Sequence, residues 1–556
     1  MIADTVKIFC VNTGEEREVA VGTPLTGLIE LLGVKMPYLI ANAKVNNKTE
    51  SLAYRVYRPK TIEFVDLSNS SAMRTYVRSL CFILAKAVDD LLPNAEMYIE
   101  HAVSKGYYFQ IESDVPVGKP ELDAIRNRMR EIVDADIPFV QVEEETTKVV
   151  QLFRERGMED KARLLETSDM LYARYSKLEE YIDYFYGCLT PSTGYINLFD
   201  VQPHNGGFLL RVPNREHPVD LEPEVQQEKL LNVYREHLKF LKISRLDNVS
   251  DLNRAKLDDR MSEVIQVAEA YQSKQIGEIA EEITRRFQEG VRVVLISGPS
   301  SSGKTTFRKR LEIQLLVNLL RPVGISLDDY FVDRDKTPLD EDGEKDYESL
   351  YALDLDLFEQ HMLRLMQGEE VELPFYNFVT GKREYRKNFL KMTDNSILIV
   401  EGIHGLNPEL TAHIPPEKIF KVYVSALTTI SLDDHNWIPA SDNRLIRRIV
   451  RDYRYRGYSA EQTISRWDSV RRGEEKWIFP FQENADVMFN SAMIYELAAI
   501  RRHVEPVLMQ VPRTVPEYSE AYRLLKFLSY FNYITDRELP PTSLLREFLG
   551  GSSFRY

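Results

Sequence analysis

Hydrophobic positions change their spacing along this chain, and the changes divide it into segments. Near the amino end Val6, Ile8 and Cys10 alternate with polar neighbours before Asn12-Thr13-Gly14, which predicts a strand entering a hairpin turn. Thr23-Pro24 then opens a short helix with Leu25, Leu28, Ile29 and Leu32 on one face, and strand-like pieces continue to Ile62-Glu63-Phe64-Val65. Together these predict a small β-rich unit over 1–66. Residues 67–225 read as an α+β unit: a helix near 72–92 ending at Leu92-Pro93, a strand pair around 96–99 and 107–111, and a helix with Leu122, Ile125, Met129 and Ile132 in register. From 226 to 288 the chain is charged and helical in pattern without a proline, which predicts a helical connector. Beyond Val291, apolar runs at 293–297, 323–327, 397–400, 420–424 and 487–489 alternate with helical segments. Such alternation predicts an α/β unit with a parallel sheet covered by helices, here over 289–515, followed by a helical tail over 516–556.

Composition and charge narrow the possibilities. No apolar run approaches the roughly 18 residues that a membrane span needs, and the opening stretch alternates and turns acidic, unlike a signal peptide. The cysteines Cys10, Cys81 and Cys188 stand far apart, in no metal-ligand spacing, so the expected compartment is a reducing cytoplasm. A net charge of -15 disfavours broad contact with a nucleic-acid backbone. RNA binding by the front half is therefore disfavoured, while self-association into a homo-oligomer stays open.

The most specific motif is Gly298-Pro299-Ser300-Ser301-Ser302-Gly303-Lys304-Thr305-Thr306, a full GxxxxGK[ST] pattern between an apolar strand and a helical pattern. Glycines and small serines let backbone N–H groups wrap a polyphosphate at the positive end of the following helix. Gly298, Ser300, Ser301, Ser302, Gly303, Lys304, Thr305 and Thr306 are thus the expected ATP-binding residues. Lys304 would reach the outer phosphates, and the Thr305 hydroxyl would ligate magnesium.

Two acids follow at strand ends, where catalytic groups of open α/β sheets gather. Asp328 stands in position to accept a proton from an acceptor hydroxyl; an N-cap role is the alternative, which its neighbour Asp329 fits better. Glu401 is placed beside the loop to hold magnesium or its water shell, and His404 reads as a structural hydrogen-bonder. Arg444, Arg447, Arg448 and Arg451 recur at i, i+3, i+4 and i+7, so they share a helix face. Arg454 and Arg456 precede Gly457, where the helix can end. Four guanidinium groups on one face need an anion or carboxylates opposite, and a lid closing over phosphates is the expected reason.

Over about 290–510 the chain resembles the uridine kinase and phosphoribulokinase group of P-loop kinases, through GPSSSGKTT, SLDDYF, YESLYALD, LPFYNFVTGKR, ILIVEGI, RLIRRIVRDYRYRG and ENADVMFN. The resemblance implies Asp328 as the base for a nucleoside 5′-hydroxyl and Glu348 as holder of the ribose hydroxyls. It implies Tyr376 and Phe378 as the aromatic pair around the base, and Arg448, Arg451 and Arg456 as substrate and lid arginines. Three positions depart from the group: Gly381 replaces a base-reading histidine, Tyr458 a lid arginine, and Arg466 a base-contacting glutamine. The segment 428–440, with His435 and Trp437, is longer than the usual linker and is expected to reshape the acceptor pocket.

The front half resembles the amino-terminal region of threonyl-tRNA synthetases, a TGS domain followed by an editing-type domain, through LLPNAEM, SKGYYFQI and TPSTG. The editing ligands fall on Arg78, Phe82, Phe185 and Leu189, so histidine- or metal-dependent deacylation is not expected. The whole layout, ending in PPTSLLREFLGGSSF, resembles bacterial TGS-containing uridine kinase-like proteins. It implies an ATP- and magnesium-dependent nucleoside kinase; a kinase of another small alcohol and an RNA- or ribosome-associated nucleotide sensor are the alternatives.

Overall fold

The computed structural model describes residues 5–340 and 343–555. At the amino end, the hairpin Thr5–Cys10 and Glu15–Ala20 joins Lys60–Asp66, Ile40–Val45 and Lys48–Ser51 in a five-stranded mixed sheet. Leu25 and Leu28 of the helix Leu25–Leu31 are buried in the core of this unit. The next unit is built on the helix Ser70–Leu91, which packs against Lys119–Asp134 and a four-stranded antiparallel sheet. The inward residues Leu122, Ile125, Met129 and Ile132 are all buried, as their spacing requires. Three helices, Glu228–Ser244, Val249–Leu257 and Met261–Gln288, follow.

The back half is built on a parallel five-stranded sheet in the order Arg321–Ser326, Ser396–Glu401, Val293–Ser297, Ile419–Ser425, Val487–Asn490. The two central strands are buried along their whole length, which explains their unbroken apolar sequence. Register positions the chemistry, because Glu401 lies beside both Ile296 and Ser326. The loop that begins at Gly298, the acid Glu401 and the turn carrying Asp328 therefore all lie at the carboxyl end of three neighbouring parallel strands. The second strand stops at Ser326 rather than 327, because the Ser326 hydroxyl caps the backbone N–H of Asp328 and starts a 3₁₀ turn, Leu327–Tyr330.

The segment 428–440 departs from expectation. Instead of reshaping the acceptor pocket, it enters the editing-like unit. The His435 ring stacks on Phe185 with centroids 6.1 Å apart, and Trp437 lies 4.5 Å from Tyr107. Phe185 in turn packs 5.7 Å from Phe82. Two positions that carry catalytic ligands in the resembled domain are thus aromatic filler beneath a loop of the kinase-like half. One apolar core runs from Val149 and Tyr184 through the connector to the tail residues Leu544 and Phe548, so front and back halves share their interior.

Candidate phosphotransfer site

The strand Val293–Ser297 delivers a loop whose backbone admits only certain residues. Gly298 has φ +156°, and a Cβ there would stand 1.9 Å from the Val424 carbonyl oxygen. Gly303 has φ +84°, with Leu544 Cδ2 2.6 Å from where its Cβ would be. The helix Lys304–Val317 starts directly after it. The hydroxyls of Ser301 and Ser302 are buried in the loop and have no hydrogen-bond partner among the described residues. Buried hydroxyls of this kind can donate to an acceptor-rich ligand, so the loop fits a polyphosphate. Lys304 Nζ meanwhile donates to Gly298 O at 2.8 Å and Pro299 O at 3.1 Å. Burial lowers the pKa of this ammonium, opposed by the carboxylates Glu401, Asp328, Glu547 and Glu348 around it.

Asp328 is exposed to solvent on its 3₁₀ turn. Although the side chain keeps contact with solvent, the protein crowded around it displaces enough water to raise its carboxyl above the usual range, against the pull of Lys304, Arg456 and Arg451. Asp329 is otherwise engaged, accepting from the Tyr376 backbone N–H at 3.2 Å. Glu401 is buried, with Oε1 3.3 Å from Arg308 Nε and Oε2 without a hydrogen-bond partner among the described residues. Thr305, half-buried, is the second residue of the loop helix. A free carboxylate oxygen and a hydroxyl at the loop fit a hard cation, which takes oxygen ligands.

The arginine stripe divides in two, which corrects the reading of four lid residues. Arg444 forks onto Glu474 and Arg447 onto Glu496, and all four side chains are buried. Burial alone would raise the Glu474 carboxyl, but Arg444 and Arg471 hold it below its ordinary value. Glu474 Oε1 also accepts the Ser300 N–H at 3.2 Å. The carboxylates that the stripe requires are therefore the protein's own for two of the four guanidinium groups. The other two face the loop and the helix end. Arg448 Nη1 donates to Ser300 Oγ at 2.8 Å, and Arg451 bonds Asp452 at 2.9 and 3.0 Å. Arg456, on the π-helical turn Asp452–Arg456, reaches Asp452 at 3.6 Å.

The acceptor side is partly as expected. Glu348 Oε2 is buried with no hydrogen-bond partner among the described residues, and burial pushes this carboxyl up to about 7. Phe378 is exposed, but Tyr376 is only 2% exposed, packed behind Phe331 and Phe378 at 5.5 and 5.1 Å. Tyr376 thus forms a back wall instead of a contact surface, because its strand turns it into the core. Arg334 was silent in the sequence: its backbone N–H donates to Gly381 O at 2.8 Å, and its Nε stands 2.7 Å from where a Gly381 Cβ would be. The Arg466 guanidinium lies 4.9 Å from the ring centre of Tyr458, so these two positions sit together. Glu474 and Glu547, which both touch the loop, carry no local motif and became visible only in three dimensions.

A parallel sheet, a GxxxxGK[ST] loop and acids at the adjoining strand ends define a P-loop kinase fold. The chain belongs to the phosphoribulokinase / uridine kinase family, whose family model matches residues 293–497. It is 30% identical over 197 residues to a uridine kinase of Halalkalibacterium halodurans, covering 35% of this chain and 84% of that protein. The front half matches threonine–tRNA ligases. With that of Syntrophomonas wolfei it is 28% identical over 197 residues, 35% of this chain and 31% of the ligase, so the chain spans about a third of that relative. Among solved structures, a possible uridine kinase from Bacillus stearothermophilus is 20% identical, with TM-score 0.26, over 38% of this chain and 97% of that one.

Proposed function

We propose that this protein transfers the terminal phosphoryl group of ATP to the 5′-hydroxyl of a ribonucleoside. The observation that carries the reading is the register that gathers the Lys304 loop, Glu401 and the Asp328 turn at the carboxyl end of three neighbouring strands. In this reading the N–H groups of the loop and Lys304 hold the phosphates. Thr305 and Glu401 would hold magnesium, which neutralises phosphate charge when bound. Asp328 takes the proton of the acceptor hydroxyl as its oxygen bonds to the outer phosphorus and the bridging oxygen leaves with ADP. Arg448, Arg451 and Arg456 face the charge that spreads over the transferred group and exclude water from it. Glu348 takes the ribose hydroxyls, and Phe378 covers the base.

Phosphorylation of a nucleoside panel by the purified protein with magnesium and ATP tests the proposal. A 5′-monophosphate is expected, formed about 10² to 10⁴ times more slowly by Asp328→Asn. No Asp328-dependent product from any nucleoside would sink it. One observation favours a second reading, a different small alcohol as acceptor: Arg334 fills the space beside Gly381, and Arg466 stacks on Tyr458. A metabolite-wide screen yielding a product where nucleosides yield none would select that reading.

A further inference from the structure

The phosphate loop already carries an anion. Glu547 Oε2 accepts from the Thr306 backbone N–H at 3.2 Å and from Thr306 Oγ1 at 2.7 Å. Thr306 is the third residue of a 14-residue helix, so its N–H is among the donors that find no partner within the helix. It stands at the positive end of the helix dipole, where a phosphoryl oxygen or a carboxylate is equally welcome. The same amide is one that the nucleotide reading assigns to phosphate. Both ligands cannot use one N–H at full strength.

The tail brings this carboxylate in from more than two hundred residues downstream, on a backbone anchored by other means. Leu544, Leu545, Phe548 and Leu549 are buried, and Leu544 lies against Gly303. The Phe548 ring centre is 5.0 Å from the Arg447 guanidinium, and Arg454 donates to the Leu549 carbonyl. Glu547 itself is half-buried. Its carboxylate can leave Thr306 by rotation about its own side chain, with the apolar anchors in place.

We propose that Glu547 is a built-in competitor for nucleotide, resting on the Thr306 phosphate donor in the nucleotide-free protein and displaced when a phosphate-bearing nucleotide binds. The proposal rests on the nucleotide reading of the loop. It makes the tail a brake on nucleotide affinity, and through Arg447 and Arg454 the same tail touches the arginine-bearing helix Ala440–Arg451 and the turn after it.

Equilibrium binding of magnesium-ATP, magnesium-ADP and adenosine to the full-length protein tests it, in wild type, Glu547→Gln, Glu547→Ala and Lys304→Ala. Both Glu547 variants are expected to bind ATP and ADP about tenfold more tightly than wild type, with adenosine unchanged. ATP should raise their thermal midpoints further than it raises that of wild type. Unchanged or weaker ATP binding by the Glu547 variants, with wild-type binding abolished by Lys304→Ala, would overturn the competitor and leave the loop reading standing. A tightening that adenosine shares equally would overturn it too, because the competition is for phosphate. Absence of nucleotide binding in every protein would overturn both readings.

Discussion

His435 Nδ1 lies 2.7 Å from Asp183 Oδ2, and this bond crosses from the kinase-like half into the editing-like unit. It belongs to a buried cluster. Lys161 Nζ stands 3.1 Å from Asp183 and 2.9 Å from Asp433, with all three side chains at most 2% exposed. Burial would raise the Asp183 carboxyl, but Lys161 and His435 outweigh it and hold it down at about 2. The cluster fixes the segment 428–440 against the editing-like unit, where apolar contacts alone would leave its register less determined.

Removing the one ammonium should therefore be severe. Lys161→Met leaves Asp183 and Asp433 as buried carboxylates without their main partner, and a loss of about 3–5 kcal/mol is expected. Denaturant unfolding followed by fluorescence measures it. A loss below about 1 kcal/mol would mean that water or a rearranged loop replaces the lysine, contrary to the burial described.

The two loop glycines should differ in tolerance. At Gly298 an added Cβ meets a backbone carbonyl at 1.9 Å, whereas at Gly303 it meets the end of the Leu544 side chain at 2.6 Å. A side chain can turn aside and a sheet carbonyl cannot. Gly298→Ala is expected to lose nucleotide binding and to lower the thermal midpoint more than Gly303→Ala, whose cost is mainly the roughly 1–3 kcal/mol of its left-handed backbone. Calorimetry and nucleotide titration of the two variants give the comparison; equal damage would mean that backbone strain, not contact, sets both.

What the sequence made legible follows from the range of the forces involved. The strands, the loop and the helix face with Leu122 and Ile125 rest on local periodicity, and each is found close to its expected place. The arginine spacing correctly placed four residues on one face, yet spacing cannot say what stands opposite. Glu474 and Glu496 arrive from other helices and claim two of the four. The direction of the segment 428–440 and the reach of Glu547 depend equally on distant packing, and no local pattern encodes either.

That division of the arginines is itself testable. Arg444→Met takes the forked partner from the fully buried Glu474, leaving Arg471 at 3.1 Å as its remaining cation, and should cost up to about 3 kcal/mol of stability. Arg451 is half-buried and pairs with Asp452 near the helix end. Arg451→Ala should cost about 1 kcal/mol or less, yet slow phosphoryl transfer by about 10²-fold or more. Thermal unfolding and steady-state rates on both variants separate the roles. An Arg451 variant that unfolds early but transfers normally once folded would place it with the structural pair.

Glu348 offers a pH signature whose sign is fixed by its surroundings. Its Cβ is packed so closely on Gly473 that a Cβ there would stand 2.4 Å away, and Oε2 has no hydrogen-bond partner among the described residues. Burial raises the carboxyl from an ordinary 4.5 to about 7, and Arg448 only partly opposes it. Between those two values the folded protein keeps a proton that the unfolded chain has released. The stabilisation is complete below about 4.5 and is lost as pH rises through about 7. Glu348→Gln resembles the protonated form at every pH, so it removes that loss. Wild type and variant should thus have similar thermal midpoints near pH 5, and the variant should gain on wild type up to about pH 8. Parallel curves across that range would mean that Glu348 titrates as an exposed carboxylate, with its charge already met in the folded protein.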